Sequence, residues 1–119
     1  MNSTTMLGIS FDTRDAAMVA QFWAAAFGRQ LADAADAHNA VVLPGDITTT
    51  GPRLAFHQVP EGKTVKNRVH LDLTTTDLDS ETDRLQELGA TIVRDVSENG
   101  NHWITMADPE GNEFDLISI

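Results

Sequence analysis

The chain has 119 residues, a net charge of −10 and a pI near 4.5, which predicts one acidic domain with one core. Eighteen acidic residues against eight basic ones argue against binding to nucleic acid or to an anionic membrane surface. The lack of cysteine excludes disulfides, thiolate metal sites and a cysteine nucleophile. Because no membrane span or signal peptide is evident, we expect a soluble, cytoplasmic protein whose partner is a small molecule.

The first half predicts one helix among strands. Residues 7–12 alternate between apolar and polar, which predicts a strand. Apolar spacings of three and four predict a helix over 14–27, capped by Asp12 or Thr13 and ended by Gly28. Short apolar runs predict further strands at 29–32, 40–43 and 53–59. Residues 60–64 follow as a connector, and the basic cluster of Lys63, Lys66 and Arg68 is expected to be solvated.

The second half repeats this order of elements. It predicts a strand at 69–74, a helix at 78–88 capped by Thr76 or Asp77, and strands at 91–95, 103–107 and 113–119. Asp77, Gly89 and Gly111 lie 62, 61 and 60 residues after Asp15, Gly28 and Gly51. A repeated βαβββ unit of about 60 residues is therefore predicted, with module one at about 1–60 and module two at about 64–119. Chance similarity between two αβ halves is the alternative.

Strand alternation predicts a polar face opposite the helices. Phe114 and Leu116 belong to the core side, so Asp115 takes the other face. The same rule applied to the first and last strand of each half selects six polar side chains, and two sheets curling around one space would collect them: Arg53, His57, His70, Asp72, Glu113 and Asp115. The alternative is a face that simply meets water.

Four segments, taken in this order, resemble the vicinal oxygen chelate superfamily, and within it the glyoxalase-like subgroup. They are Asp-Ala-Ala through Phe-Gly at 15–28, Asn-Arg-Val-His-Leu-Asp-Leu at 67–73, Arg-Leu-Gln-Glu-Leu-Gly-Ala-Thr at 84–91, and the stretch 103–116 with its Asp-Pro-Glu-Gly-Asn turn. The superfamily includes glyoxalase I, bleomycin-resistance proteins and extradiol dioxygenases. The resemblance implies an α+β fold in which two βαβββ modules form a cupped, open mixed β-barrel with flanking helices. It also implies a single glyoxalase-like domain over 1–119 and a homodimer.

The resemblance implies where a divalent metal such as Zn, Ni, Fe or Mn would bind. The four family ligand positions fall at Gly8, Ala55, His70 and Asp115. His70 and Asp115 are therefore the candidate metal ligands, whereas Gly8 and Ala55 carry no ligand atom. Two protein ligands would hold a metal weakly, because catalytic sites typically use about three.

Three functions remain open at this point. The first is a protein that binds a small polar or anionic organic molecule without the full metal site. The second is a divalent-metal-dependent lyase, isomerase or dioxygenase acting on vicinal oxygens, and the third is an interaction module with a vestigial cavity. The candidate catalytic bases are Asp115, His57 and Glu113. The candidate ligand-binding residues are Arg53, His57, His70, Asp72 and Trp103.

Overall fold

The computed structural model describes residues 2–47 and 49–119. They form two helices and seven strands in two sheets, which confirms the predicted α+β class. The chain divides into two compact units, Met1–Gly62 and Lys63–Ile119. Within the described ranges, neither helix has the length and apolar character needed to cross a membrane.

The first unit contains a three-stranded mixed sheet and one helix. Its elements are β1 (Gly8–Thr13), α1 (Ala16–Phe27), β2 (Asn39–Val42) and β3 (Arg53–Gln58). The strand order is β1-β3-β2, in which β1 is parallel and β2 antiparallel to β3. The strand predicted at 29–32 is wrong, because only an isolated bridge between Leu31 and Val42 forms there. Ala34 turns the chain away with a φ of 66°, so the segment is too short to extend the ladder.

Aromatic packing between α1 and the sheet builds the core of the first unit. Trp23 is 1% exposed and stacks against Phe11 on β1, with ring centroids 6.4 Å apart. Phe11 in turn stacks on Phe56 of β3 at 5.1 Å. The helix therefore covers the apolar face that strand alternation predicted, and the polar residues of β1 and β3 lie on the opposite face.

The second unit contains the complete βαβββ order. Its elements are β4 (Leu71–Thr75), α2 (Leu78–Leu88), β5 (Thr91–Glu98), β6 (Asn101–Ala107) and β7 (Glu113–Ser118). The strand order is β4-β7-β6-β5, with β4 parallel to β7 and the other pairs antiparallel. Leu85 of α2 is buried over a face that also buries Met106, Phe114 and Leu116.

Both helices begin at an aspartate. Asp77 caps α2 as predicted, accepting a hydrogen bond from the Ser80 backbone N–H at 3.1 Å. The cap predicted for α1 at Asp12 or Thr13 is wrong, because Asp15 accepts from the Met18 backbone N–H instead. β1 continues through Thr13, whose side chain is buried, and so the helix starts later than the apolar pattern suggests.

Gly8 lies unusually close to its neighbouring strand. It is paired with Arg53 in the parallel ladder, and a Cβ atom at position 8 would overlap the carbonyl oxygen of Arg53. The obstacle is backbone, so it cannot rotate away as a side chain could. Position 8 therefore excludes any side chain unless the two strands move apart.

We expect Gly8→Ala to lower the free energy of unfolding by about 2 kcal/mol, as overpacking typically does. Gly62→Ala is the matched control, since its Cβ would meet only the flexible Arg14 side chain at 3.4 Å. Urea denaturation monitored by circular dichroism measures both changes. A Gly8→Ala variant as stable as the parent would contradict the close strand approach.

Candidate functional site

Strand β7 positions the candidate site by its alternation. Phe114 and Leu116 are each 1% exposed and face the core of the second unit. Because successive side chains of a strand point to opposite faces, Glu113 and Asp115 project from the other side of the sheet. Both carboxylates border a pocket that lies within this unit.

A histidine and two aspartates meet at the β4–β7 edge of this sheet. Asp72 on β4 pairs in register with Asp115 on β7, and His70 immediately precedes β4. The His70 Nδ1 atom lies 3.0 Å from Asp72 Oδ1 and 3.8 Å from Asp115 Oδ2. One ligand atom from each of the three residues lies within 4.8 Å of the others, which makes them a possible metal-binding group.

The three members of this group differ in how firmly they are held. The Thr105 hydroxyl donates a hydrogen bond of 2.6 Å to Asp115 Oδ1, and the Asp115 side chain is only 21% exposed. The side chains of His70 and Asp72 are 42% and 56% exposed. Asp115 is therefore the fixed point of the group, while the other two are open to solvent.

The pocket beside this group has a volume of about 310 Å³. Its floor is formed by side chains of β5, β6 and β7 that share the face of Asp115, and His70 and Lys66 complete its wall. Trp103 and Val96 supply its apolar surface. The remaining lining residues are Arg94, Glu98, Thr105, Glu113 and Asp115.

Glu113 is bound by the segment that follows the boundary between the units. Lys63 Nζ and Lys66 Nζ lie 3.3 and 3.2 Å from its two carboxylate oxygens. The backbone N–H of Asn67 donates to the same carboxylate, and the Glu113 backbone N–H donates to Asn67 Oδ1 at 2.8 Å. We call these four residues, Lys63, Lys66, Asn67 and Glu113, the Glu113 clamp.

The clamp controls the charge of Glu113. Burial by itself raises the pKa of the Glu113 carboxyl, but hydrogen bonds from Lys66, the Asn67 backbone and Lys63 outweigh it and bring that pKa below its ordinary value. A carboxylate with a lowered pKa and occupied oxygens accepts protons poorly at neutral pH. Glu113 is therefore less suited to act as a base than to hold the 63–67 segment in place.

The clamp is anchored on a tightly bonded turn between β6 and β7. Asp108 is buried and accepts hydrogen bonds of 2.9 Å from the backbone N–H groups of Glu110 and Asn112. The Asn112 side chain also contacts Asn67, whose Nδ2 donates to Asn112 Oδ1 at 3.1 Å. The turn thus fixes both the start of β7 and the segment that leads to His70.

The remaining predicted site residues belong to the first unit. His57 lies at the exposed end of β3, where its Nδ1 atom is 3.1 Å from Asn39 Oδ1. Arg53 is the first residue of the same strand and pairs with Gly8. Ala55, which lies between Arg53 and His57 on this strand, is buried. That these residues share one cavity with His70 and Asp115 stays a prediction.

Sequence reasoning missed two cations of the pocket, Lys66 and Arg94. Lys66 was expected to be solvated, and its side chain is indeed 64% exposed, but it also pairs with Glu113 and borders the pocket. Arg94 lies on a strand whose alternation is interrupted by a register shift between Ile92 and Arg94, so its face depends on the pairing with β6. A pairing register is a tertiary property, and no local pattern indicates it.

The family comparison now bears on this fold and site. A family model described as a glyoxalase-like domain matches residues 8–117, nearly the whole chain. The chain belongs to this family. No curated protein sequence matches it.

Solved structures with the same fold are distant in sequence. A hypothetical protein from S. aureus has a TM-score of 0.74 at 15% identity and covers 99% of this chain and 96% of its own. A second structure is the E126Q mutant of the fosfomycin resistance protein FosX from Listeria monocytogenes, complexed with Mn(II) and 1S,2S-dihydroxypropylphosphonic acid. Its TM-score is 0.75 at 14% sequence identity, and the match covers 99% of this chain and 91% of FosX. A glyoxalase/bleomycin resistance protein/dioxygenase family enzyme from Burkholderia phytofirmans has a TM-score of 0.73 at 16% sequence identity. The match covers 97% of this chain and 99% of that enzyme. These likenesses establish the glyoxalase fold.

We expect Glu113→Gln to lower the free energy of unfolding at neutral pH by about 1 kcal/mol, because both ion pairs are lost. The lowered pKa means that the unfolded chain binds the proton more tightly than the folded one. The parent protein therefore has its full excess in free energy of unfolding over the variant at pH values above the ordinary carboxyl pKa. This excess disappears as the pH falls through the lowered pKa of Glu113 in the folded state.

Urea denaturation of both proteins across this acidic range measures the effect. Glu98→Gln is the matched control, since Glu98 borders the same pocket but has no ion pair among residues 2–47 and 49–119. A stability difference for Glu113→Gln that is independent of pH would contradict the clamp.

Proposed function

We propose that this glyoxalase-like protein binds a small, oxygen-bearing polar or anionic organic molecule in the pocket of its second unit, beside a weakly held divalent cation. The observation that carries the proposal is the group formed by His70, Asp72 and Asp115 at the pocket edge. One imidazole and two carboxylates suit Mn²⁺, Zn²⁺, Ni²⁺ or Fe²⁺.

The geometry of this group is compatible with one shared cation. Bonds of about 2.1 Å from a metal reach two atoms that are at most about 4.2 Å apart. The His70 Nδ1 atom lies 3.0 and 3.8 Å from an oxygen of Asp72 and of Asp115, within that limit, and all three ligand atoms lie within 4.8 Å of one another, so a side-chain rotation at exposed Asp72 is enough to bring the set to one cation. A bound divalent cation would supply a Lewis acid that polarises an oxygen of the ligand.

Weak cation binding follows from the exposure of the ligands. The His70 and Asp72 side chains lose rotational freedom when they bind, and water competes for their open positions. Gly8 and Ala55, the two further positions that the family resemblance implies, carry no ligand atom. The remaining coordination positions fall to water or to the organic ligand.

The pocket limits the size and character of the ligand. A volume of about 310 Å³ lies at the lower end of small-molecule sites, so the ligand is smaller than a typical drug. Trp103 and Val96 offer apolar contact, whereas Thr105 and the charged residues offer polar contact.

A metal-dependent lyase, isomerase or dioxygenase is the second candidate function. It is favoured by the same three ligands, because open metal positions next to a pocket allow a substrate to bind. Asp115 is then the best base when it leaves the cation to His70 and Asp72, since it borders the pocket without an ion pair to lysine or arginine among the described residues. His57 remains an alternative base, and Glu113 is disfavoured by its clamp.

The state of assembly and location belong to the same proposal. We propose a cytoplasmic homodimer, supported by the family resemblance and by the many apolar residues of α1. One of them, Met18, is 39% exposed in the single chain. A monomer in light scattering at micromolar concentration would count against the dimer.

We expect the parent protein to bind Mn²⁺ and His70→Ala to weaken this binding at least about tenfold, because a third of the donor set is lost. Asp115→Asn should weaken it similarly. His102→Ala is the matched control, since His102 is 43% exposed, belongs to the same unit and pairs with Asp95 away from the group. Electron paramagnetic resonance of free Mn²⁺ measures the affinities.

Equal Mn²⁺ affinities of His70→Ala and the parent protein would contradict the proposed ligand set. Proton NMR of a ligand supplied with the Mn²⁺-loaded protein then separates the two functions. An unchanged ligand spectrum over time favours binding, whereas conversion that stops in Asp115→Asn favours the enzyme.

A further inference from the structure

We propose that Arg94 is the residue that selects the ligand, by pairing with a carboxylate or comparable oxyanion at the end of the pocket opposite to His70 and Asp115. The inference rests on the proposed function and adds a ligand class to it. The ligand is a short organic acid that carries a second oxygen next to its acid group.

The sheet register places Arg94 in line with the metal-binding group. Arg94 pairs with Thr105, Thr105 pairs with Asp115, and Asp115 pairs with Asp72. These four residues therefore form one row across β5, β6, β7 and β4. Members of such a row share one face of the sheet, so Arg94 projects towards the same side as Asp115.

A β-bulge brings Arg94 onto this face. Ile92 pairs with Met106 and Arg94 with Thr105, so Val93 is an extra residue without a partner on β6. Met106 is buried on the helix side, and the next position along β5 therefore belongs to the pocket side. Without the bulge that position would be Val93, and the bulge replaces an aliphatic side chain with a guanidinium.

The Arg94 side chain has no partner of its own. Within residues 2–47 and 49–119 the guanidinium makes no hydrogen bond or ion pair, although the chain carries 18 acidic residues against 8 basic ones. The other pocket cation, Lys66, is occupied by Glu113. The guanidinium is therefore the one cationic group of the pocket floor that is available to an incoming anion, and its fork matches a carboxylate.

The distance along the row sets the length of the ligand. Two strand spacings separate Arg94 from Asp115, which is about 10 Å between Cα atoms. Side chains stand out from the sheet, so the Arg94 guanidinium covers part of that distance by leaning over β6. The gap that remains fits a molecule a few bonds long, with its acid group at Arg94, its second oxygen near His70 and Asp115, and an apolar substituent against Val96 and Trp103.

Mandelate and its neutral amide, mandelamide, test this inference as probes. Both carry a hydroxyl next to the carboxyl or amide carbon and an apolar ring, and they differ in the negative charge. Nitrogen-15 NMR follows the indole N–H of Trp103, while the indole of Trp23, buried in the first unit, is the internal reference. We expect saturable shifts of Trp103 with mandelate and about tenfold weaker binding of mandelamide, which lacks the negative charge that Arg94 would pair with.

Arg94→Gln should weaken mandelate binding by about tenfold, the value of one charge-assisted contact. Arg94→Lys should recover part of the loss, because it keeps the charge without the fork. Arg68→Gln removes the same charge outside the pocket and should bind like the parent. Mandelate affinity that is unchanged in Arg94→Gln, equal binding of mandelamide, or no saturable binding by the parent would each overturn the inference.

A Mn²⁺ titration of Arg94→Gln separates this inference from the proposed function. Because Arg94 lies two strands from the metal-binding group, we expect its Mn²⁺ affinity to equal that of the parent. Parental Mn²⁺ binding with Arg94-independent mandelate binding refutes the role of Arg94 alone. Loss of Mn²⁺ binding in Arg94→Gln would show that the substitution disturbs the sheet, and would overturn Arg94 as a separate recognition residue.

Discussion

The burial of Phe114 and Leu116 beneath α2 is the constraint on which the site depends. When a strand buries two residues that are two positions apart, the residues between and beside them point to the opposite face. The free energy of burying Phe114 and Leu116 therefore also orients Glu113 and Asp115. The parallel partner β4 then brings Asp72 beside Asp115, and the residue that enters β4 is His70. A register slip of one residue would bury the carboxylates and expose two large apolar side chains, which the core does not permit.

Local patterns predicted those parts of the molecule that local physics decides. The α2 helix was predicted at its observed bounds, because Asp77, the leucine spacing and Gly89 all lie within one short segment. The repeat was visible for the same reason, since Asp15 and Asp77 are both caps and Gly28 and Gly89 both end helices. Alternation alone placed Asp115 opposite the core. The strand predicted at 29–32 is wrong because the chain turns at Ala34, where no glycine or proline indicates a turn. Only one bridge therefore forms in this segment.

The rest of the site depends on contacts between segments distant in sequence. From its own strand, Glu113 is a candidate base. In the structure its carboxylate is bound by Lys63, Lys66 and Asn67, which lie 46 or more residues earlier in the sequence. Arg94 was overlooked because the face of a residue next to a bulge follows from its pairing with β6 and from nothing in its own segment. In both cases the chemistry of a side chain was visible in the sequence, whereas its partner was not.

The two units share the order of their elements, apart from the strand that the first unit lacks, and differ in the residues at the start of β1 and β4. In the first unit the close approach of Gly8 to the Arg53 backbone leaves no space for a side chain, so a histidine there would cost strand packing before it gained a metal bond. Both β1 and β4 are edge strands, but beside β4 the side chains of His70 and Asp72 remain exposed. An exposed, incomplete donor set binds a cation weakly by itself. In the proposed site an organic ligand that adds its own oxygens would complete the set, and linkage then requires that ligand and cation strengthen each other's binding.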